Sequence, residues 1–198
     1  MRRGLLLAPL LIAAVLGLAG CGTTGSGATT PMALAAPPQK AELNWLEPFP
    51  ADAPALVFGV ASFTVTANGW SADISIENRS DVGWKIVDRN DEAALTFGVL
   101  LFPNDDQEEF EHSVNTFNLP AVRAATRYEP ALPVALEPGV TWRGTISAPG
   151  ALAGGLWVRF VFGPFSSVGE PPKGLPTSAI TWYTDHAYHL EEVAAVPA

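Results

Sequence analysis

The amino-acid sequence predicts an all-β fold, an antiparallel β-sandwich. From Leu56 onward, several runs alternate apolar and polar residues with a period of two, as strands with one buried face do. Gly, Pro, Asn and Asp separate these runs, which indicates tight turns. No extended run carries a convincing helical period. Together these observations predict about six to eight strands packed as one domain.

The clearest predicted element is a hairpin centred on Asn68-Gly69. Apolar residues alternate with Ser and Thr over 61–67, and alternation resumes over 70–77 after the Asn-Gly pair. An Asn-Gly pair between two alternating runs is the strongest short-range signal for a two-residue hairpin turn. We therefore expect two long antiparallel strands joined at this point.

The remaining strands are shorter and are separated by turn residues. Residues 103–133 lack a clean period and are expected to form an irregular insertion, in which Pro120 favours a short helix over 119–126. Turns are expected at Asn78-Arg79-Ser80-Asp81, Asn90-Asp91 and Glu137-Pro138-Gly139, with a Gly/Pro loop over 166–176. The predicted strands cover 84–87, 95–102, 141–147, 156–162 and 179–190.

Two segments carry a resemblance to a known family. The run Ile74–Asp81 is similar to the strand and N-x-S-D turn of immunoglobulin-like (telokin-like) domains in secreted bacterial lipoproteins. The run Leu136–Ile146 resembles their later L-x-P-G turn and strand, and Phe160 falls where they carry an apolar core strand. The resemblance covers residues 55–165 and implies an immunoglobulin-like sandwich used for binding or scaffolding.

The N-terminus resembles the export signal of bacterial lipoproteins. Arg2 and Arg3 precede an apolar run over 5–18, and Leu18-Ala19-Gly20-Cys21 matches the cleavage box. The alternative, an uncleaved membrane helix, is disfavoured because the run is shorter than the roughly 20 residues that span a bilayer. The resemblance implies a lipid on Cys21 and a place on the extracytoplasmic side of the cell membrane or outer membrane.

These observations divide the chain into four parts. A signal peptide over 1–20 is followed by a flexible Gly/Thr/Pro-rich tether over 21–43. The β-sandwich domain is expected over 44–192, and a short tail over 193–198.

Composition excludes several classes of protein. The formal net charge is −9, and removal of the signal peptide would remove two arginines and no acid. Such a chain lacks the basic face that nucleic acid requires, so no nucleic-acid partner is expected. The single cysteine, once lipidated, leaves no disulfide framework, catalytic thiol or thiolate metal site.

Motifs for metal binding or catalysis are weak. The acidic run Asp105–Glu111 could attract calcium, but it lacks the glycine-containing loop pattern, so a solvated acidic loop is favoured. Of the three histidines, His186 and His189 would point to opposite faces of a strand, which argues against a shared metal site with His112. Nucleophile signatures are absent from the sequence, although a dispersed carboxylate pair stays open. We expect no metal, no cofactor and no enzymatic activity.

The aromatic residues suggest both core positions and a candidate surface. Trp70, Trp84 and Trp142 follow the apolar phase of their strands and are expected in the core. Trp157 and Arg159 lie on the opposite phase of a strand whose other face is apolar, and Tyr183 opposes Trp182. Trp157, Arg159 and Tyr183 therefore form a candidate recognition patch, since these residue types dominate binding hot spots. The alternative is that the 103–133 insertion covers this face.

Two functions are compatible with these features. The first is a non-enzymatic lipoprotein that is anchored to the membrane through Cys21 and binds another protein of the cell envelope. The second is a lipoprotein that binds a glycan or a small ligand through aromatic side chains. A purely structural spacer is a third alternative.

Overall fold

The computed structural model describes residues 34–86 and 97–193. Over these residues the predicted all-β sandwich is confirmed, because two antiparallel sheets pack face to face around a shared core. The predicted signal peptide, Cys21, the Asn90-Asp91 turn and most of the C-terminal tail lie outside the described residues. Among the described residues, no helix is long and apolar enough to cross a membrane.

The described residues form twelve strands and one helix. The first sheet has the order β1-β2-β3-β9-β7, and the second has the order β6-β5-β10-β4-β8, with β11 and β12 also paired to β10. The elements are β1 (Gln39–Phe49), β2 (Leu56–Thr66), β3 (Gly69–Asn78), β4 (Trp84–Ile86), β5 (Gly98–Phe102), α1 (Gln107–Asn115), β6 (Arg123–Ala124), β7 (Arg127–Glu129), β8 (Ala135–Leu136), β9 (Thr141–Pro149), β10 (Trp157–Ser167), β11 (Ile180–Tyr183) and β12 (Tyr188–His189).

The predicted hairpin forms the centre of the first sheet. Val65 pairs with Trp70 and Thr66 with Gly69, so the hairpin forms as predicted, but its two turn residues are Ala67 and Asn68, one position earlier than the Asn68-Gly69 pair indicates. Strand β3 then pairs along its length with β9, and β1 pairs with the other side of β2. The alternation that predicts this hairpin also sets its register, because shifting one strand by a residue would turn its apolar face to water.

Strand β10 is the centre of the second sheet. Its C-terminal half pairs with β4 and its N-terminal half with β5, so these two short strands line up along one side of it. Strands β11 and β12 line up along the other side. Strand β10 therefore carries two shorter strands along each of its edges.

The core between the sheets is aromatic. Trp70, Trp84 and Trp142 are buried, as predicted from their strand phase. Phe58 of the first sheet packs on Phe162 and Phe165 of β10, with ring centroids 5.1 and 5.6 Å apart. Tilted aromatic pairs at these distances add stabilisation beyond their buried area.

The two segments that carry the family resemblance meet at one corner of the sandwich. The Asn78 side chain is fully buried and donates hydrogen bonds to the carbonyl oxygens of Val82, at 2.8 Å, and Leu136, at 2.9 Å. Its Oδ1 accepts from the Ser80 backbone and hydroxyl, and that hydroxyl accepts from Trp84 Nε1. One satisfied amide therefore ties the end of β3 to strand β8 of the other sheet.

The structure differs from the prediction at both ends of the domain. Strand β1 begins at Gln39, within the predicted tether over 21–43, because residues 39–42 pair in register with β2. The predicted last strand over 179–190 is instead the two short strands β11 and β12, interrupted where the chain leaves the sheet at 184–187. The predicted loop over 166–176 starts later, since β10 extends to Ser167.

The insertion over 103–133 also differs from the prediction. Its helix is α1 at Gln107–Asn115. The prediction of a helix over 119–126 is wrong, because this segment contains strand β6 instead. Asp106 caps the helix by accepting a hydrogen bond from the Glu109 backbone at 2.9 Å. Gly98 allows β6 to pair closely with β5, because a Cβ there would collide with the Arg123 carbonyl oxygen.

We expect Asn78→Ala to lower the free energy of unfolding by about 2 kcal/mol, because the buried carbonyl oxygen of Leu136 would lose its donor and the Ser80 hydroxyl would lose its acceptor. Urea denaturation of the purified protein measures this change. The matched control is Asn118→Ala, which truncates an exposed amide and should cost less than about 0.5 kcal/mol. Equal losses in the two variants would contradict the role assigned to the corner.

Candidate functional site

Arg159, the central residue of the predicted recognition patch, is buried. Only 2% of its surface is exposed, and its guanidinium lies 4.1 Å from the ring centroid of Phe110 in α1. Nη1 donates to the carbonyl oxygens of Thr184, at 3.0 Å, and Asp185. Nη2 donates to Gln107 Oε1 at 3.1 Å. The guanidinium therefore fastens α1 and residues 184–185 to the outer face of β10. Arg159 is thus engaged within the chain, and contact of the patch with a partner stays a prediction.

Helix α1 covers this outer face with a second, smaller apolar cluster. Phe110 packs edge-on against Phe102, with ring centroids 5.6 Å apart. Leu100, Phe102, Phe110 and Val161 are the buried members, and Trp157 and Tyr183 are partly buried against them. The alternative interpretation of the sequence, that the 103–133 insertion covers this face, matches the structure.

A buried carboxylate holds the same segment from the other side. Glu47 in β1 is 4% exposed and accepts four hydrogen bonds from residues 182–186. Its donors are Trp182 Nε1, at 3.0 Å, the Asp185 backbone, at 3.0 Å, and the His186 backbone and ring, at 3.2 and 2.7 Å. The irregular segment between β11 and β12 is thus fixed by Glu47 on one side and Arg159 on the other.

A cavity of about 230 Å³ lies between α1, the end of β1 and this segment. Its walls are aromatic and acidic, with a helix on one side and a strand on the other. Helix α1 contributes Phe110, Glu111, Val114 and Asn115; the remaining lining residues are Phe49, Thr181, Trp182, Tyr183 and Asp185. We call this space the helix–sheet cavity.

The helix–sheet cavity carries negative charge. Partial burial raises the pKa of Asp185, and the negative charges of Glu47 and Glu111 raise it further, while Arg159 and His186 act in the opposite direction. Burial lowers the pKa of Arg159, although neighbouring carboxylates oppose this effect. An aspartate whose charged form is disfavoured, at the wall of a cavity, is a candidate binding group.

The other residues that the sequence singles out lie apart or serve structural roles. Within residues 34–86 and 97–193, no group of three or more His, Cys, Asp or Glu side chains could hold a metal ion. His186 bonds Glu47, and the His189 ring packs on Trp157 with centroids 4.8 Å apart. The acidic run over 105–111 is not a loop, because its residues cap and form the first turns of α1.

Sequence reasoning missed the helix–sheet cavity and Glu47. A signal for α1 was present, since an Asp followed three residues later by Glu is typical of a helix N-terminus. Glu47 lies on the same strand phase as Trp45 and Phe49, an unusual position for a carboxylate. The cavity itself has no such signal, because its walls come from residues 49, 110–115 and 181–185.

In comparisons with known proteins, no family model, no curated protein and no solved structure matches this chain.

We expect Arg159→Ala to lower the free energy of unfolding by about 3 kcal/mol, because it leaves buried carbonyl oxygens without a donor and Glu47 without a nearby counter-charge. Chemical denaturation of the full-length protein provides the measurement. Arg143→Ala is the matched control, since Arg143 is exposed on β9 and should cost less than about 0.5 kcal/mol. An Arg159→Ala variant as stable as the control would show that the guanidinium is not buried in solution.

We expect Asp185→Asn to stabilise the protein at neutral pH. A raised pKa in the folded state means that the folded state binds this proton more tightly, so wild-type stability falls as the pH rises from the ordinary aspartate pKa through the raised value. The variant lacks this loss, and its advantage should disappear at pH values below the ordinary aspartate range.

Denaturation at a series of pH values tests this expectation. Asp52→Asn, in the exposed turn between β1 and β2, removes the same charge and serves as the control. A stability difference between Asp185→Asn and wild type that does not change with pH would contradict the assignment.

Proposed function

We propose that this protein is a lipid-anchored, non-enzymatic binding module on the extracytoplasmic side of the cell membrane or outer membrane, and that it holds a small ligand in the helix–sheet cavity. The cleavage box ending at Cys21 supports the anchor and the location. The single observation that carries the binding function is the cavity of about 230 Å³ with aromatic and acidic walls.

Burial of Arg159 favours ligand binding over the predicted surface patch. A side chain that is 2% exposed and bonded to α1 and the 184–185 segment has little surface left for contact with a protein partner. The helix–sheet cavity offers what the patch does not, namely a concave surface with apolar walls and a few polar groups.

The size of the cavity favours a small ligand over an oligosaccharide. Cavities that enclose drug-sized molecules measure about 300–1,000 Å³. At about 230 Å³, the helix–sheet cavity suits a compact molecule or a single group of a larger one. This argues for the small-ligand form of the second sequence-based hypothesis rather than its glycan form.

The walls of the cavity are rigidly placed before any ligand arrives. Trp182 is fixed by its hydrogen bond to Glu47 and by packing between Phe49 and Phe58. Phe110 is held under the Arg159 guanidinium. Such preorganisation lowers the entropic cost of binding. Glu47 and Arg159 form their hydrogen bonds with other groups of the same chain. This suits a structural role for them rather than a catalytic one.

A second candidate function is the protein-binding or scaffolding role first suggested by the sequence. The observation that favours it is Phe117, which is 94% exposed directly after α1. Its backbone has φ of 56°, a conformation that bulky residues seldom adopt. An exposed aromatic side chain held at a helix end is the kind of anchor that inserts into a partner, and another envelope protein is the partner we would expect.

A cavity-filling variant tests the proposed binding function. Full-length protein purified in detergent would be titrated with a panel of small polar organic molecules while tryptophan fluorescence is recorded, since Trp182 lines the cavity. We expect at least one saturable response, which Val114→Phe abolishes because Val114 lines the cavity. His112→Phe, an exposed position on the same helix, is the control. A response unaffected by Val114→Phe would place binding elsewhere.

We expect Cys21→Ser to move the protein out of the membrane fraction, because the acyl chains that would anchor it could no longer be attached. Fractionation of cells that express wild type or variant, followed by detection of the protein, provides the measurement. Retention of the variant in membranes would instead support an uncleaved membrane helix.

A further inference from the structure

We propose that the helix–sheet cavity binds a small organic ammonium ion, a primary or quaternary alkylammonium. This inference rests on the proposed binding function and names the chemical class of its ligand. It is carried by two features of the cavity, its charge and its aromatic walls.

The charge of the cavity favours a cation. Glu111 and Asp185 line it, and none of the described residues that line it is basic. The guanidinium of Arg159 lies nearby, but it is bonded to Gln107 and to backbone carbonyl oxygens and packs against Phe110. The positive charge of Arg159 also interacts with the buried carboxylate of Glu47. Arg159 therefore neutralises only part of the negative charge of Glu111 and Asp185 at the cavity wall.

The aromatic walls suit the alkyl part of such a ligand. Phe49, Phe110, Trp182 and Tyr183 line the cavity. These rings offer an apolar surface to the methyl and methylene groups that surround an ammonium charge, and aromatic walls are a usual feature of sites for quaternary ammonium groups. The ring faces of Trp182 and Phe110 already pack against Phe49, Phe58 and Arg159, so these two residues contribute the remaining parts of their rings. A hydrated metal ion would gain nothing from these walls, and an anion would be repelled by the carboxylates.

The affinity for an ammonium ion should depend on pH through Asp185. Burial and the charges of Glu47 and Glu111 disfavour its ionised form and raise its pKa, while Arg159 and His186 act in the opposite direction. A bound cation would add a favourable charge beside the carboxylate. Affinity should therefore fall as the solution is acidified and Asp185 becomes protonated.

A set of cationic, uncharged and anionic probes tests the inference. Choline and n-butylammonium would be titrated by calorimetry into the full-length protein at low salt, together with 3,3-dimethylbutan-1-ol, the uncharged carbon isostere of choline, and butyrate. We expect both cations to bind, the isostere to bind at least about tenfold more weakly, and butyrate not to bind.

Matched variants assign the effect to the cavity. Asp185→Asn and Glu111→Gln should each weaken choline binding by roughly fivefold. Glu108→Gln removes the same charge from an exposed position on α1 that does not line the cavity, and it should leave the affinity nearly unchanged. Urea denaturation confirms that each variant is folded before its affinity is compared.

The outcomes separate the inference from the proposed function. If the uncharged isostere binds as tightly as choline, or if Glu108→Gln weakens binding as much as Glu111→Gln, the ammonium assignment is overturned while small-ligand binding stands. If the cations fail but another molecule binds in a manner that Val114→Phe blocks, the same conclusion follows. If nothing in either panel binds, both the inference and the proposed function are overturned.

Discussion

The candidate site depends on two buried charges of opposite sign that hold one irregular segment between them. Glu47 accepts from Trp182, Asp185 and His186, and Arg159 donates to the carbonyl groups of Thr184 and Asp185. Burying a charge is costly unless its hydrogen-bonding capacity is satisfied, so each group tolerates few arrangements of its surroundings. Glu47 belongs to the first sheet and Arg159 to the second, and both bond residues within 182–186. Together they fix the position of this segment with respect to the two sheets.

The two faces of β10 explain why the molecule is more than a two-layer sandwich. Val158, Phe160 and Phe162 face the core between the sheets and are buried there. Arg159 and Val161 point the other way and are equally buried, which requires a third layer. Helix α1 supplies it by placing Phe110 over the guanidinium and against Phe102. The insertion is therefore an integral part of the domain.

The helix–sheet cavity is a consequence of this third layer. The cavity lies along one face of the C-terminal half of the helix, which contributes Phe110, Glu111, Val114 and Asn115. On the opposite wall, Asp185 is kept near the space by the bonds that its own backbone makes to Glu47 and Arg159. Its carboxylate is thus held in a setting that disfavours its charge and raises its pKa, a common property of groups at binding sites.

The fold class, the hairpin around Asn68-Gly69 and the core positions of Trp70, Trp84 and Trp142 could all be predicted from the amino-acid sequence. These features depend on alternation and turn chemistry, which are local properties of the chain. The sequence also placed Arg159 on the outer phase of its strand, but phase does not say whether solvent or a third layer lies beyond. The position of α1 over this face, and the cavity that residues distant in sequence enclose, become visible only in three dimensions. The helix is positioned by one buried guanidinium and one apolar cluster, and the strand pattern does not reveal the residues that these groups contact.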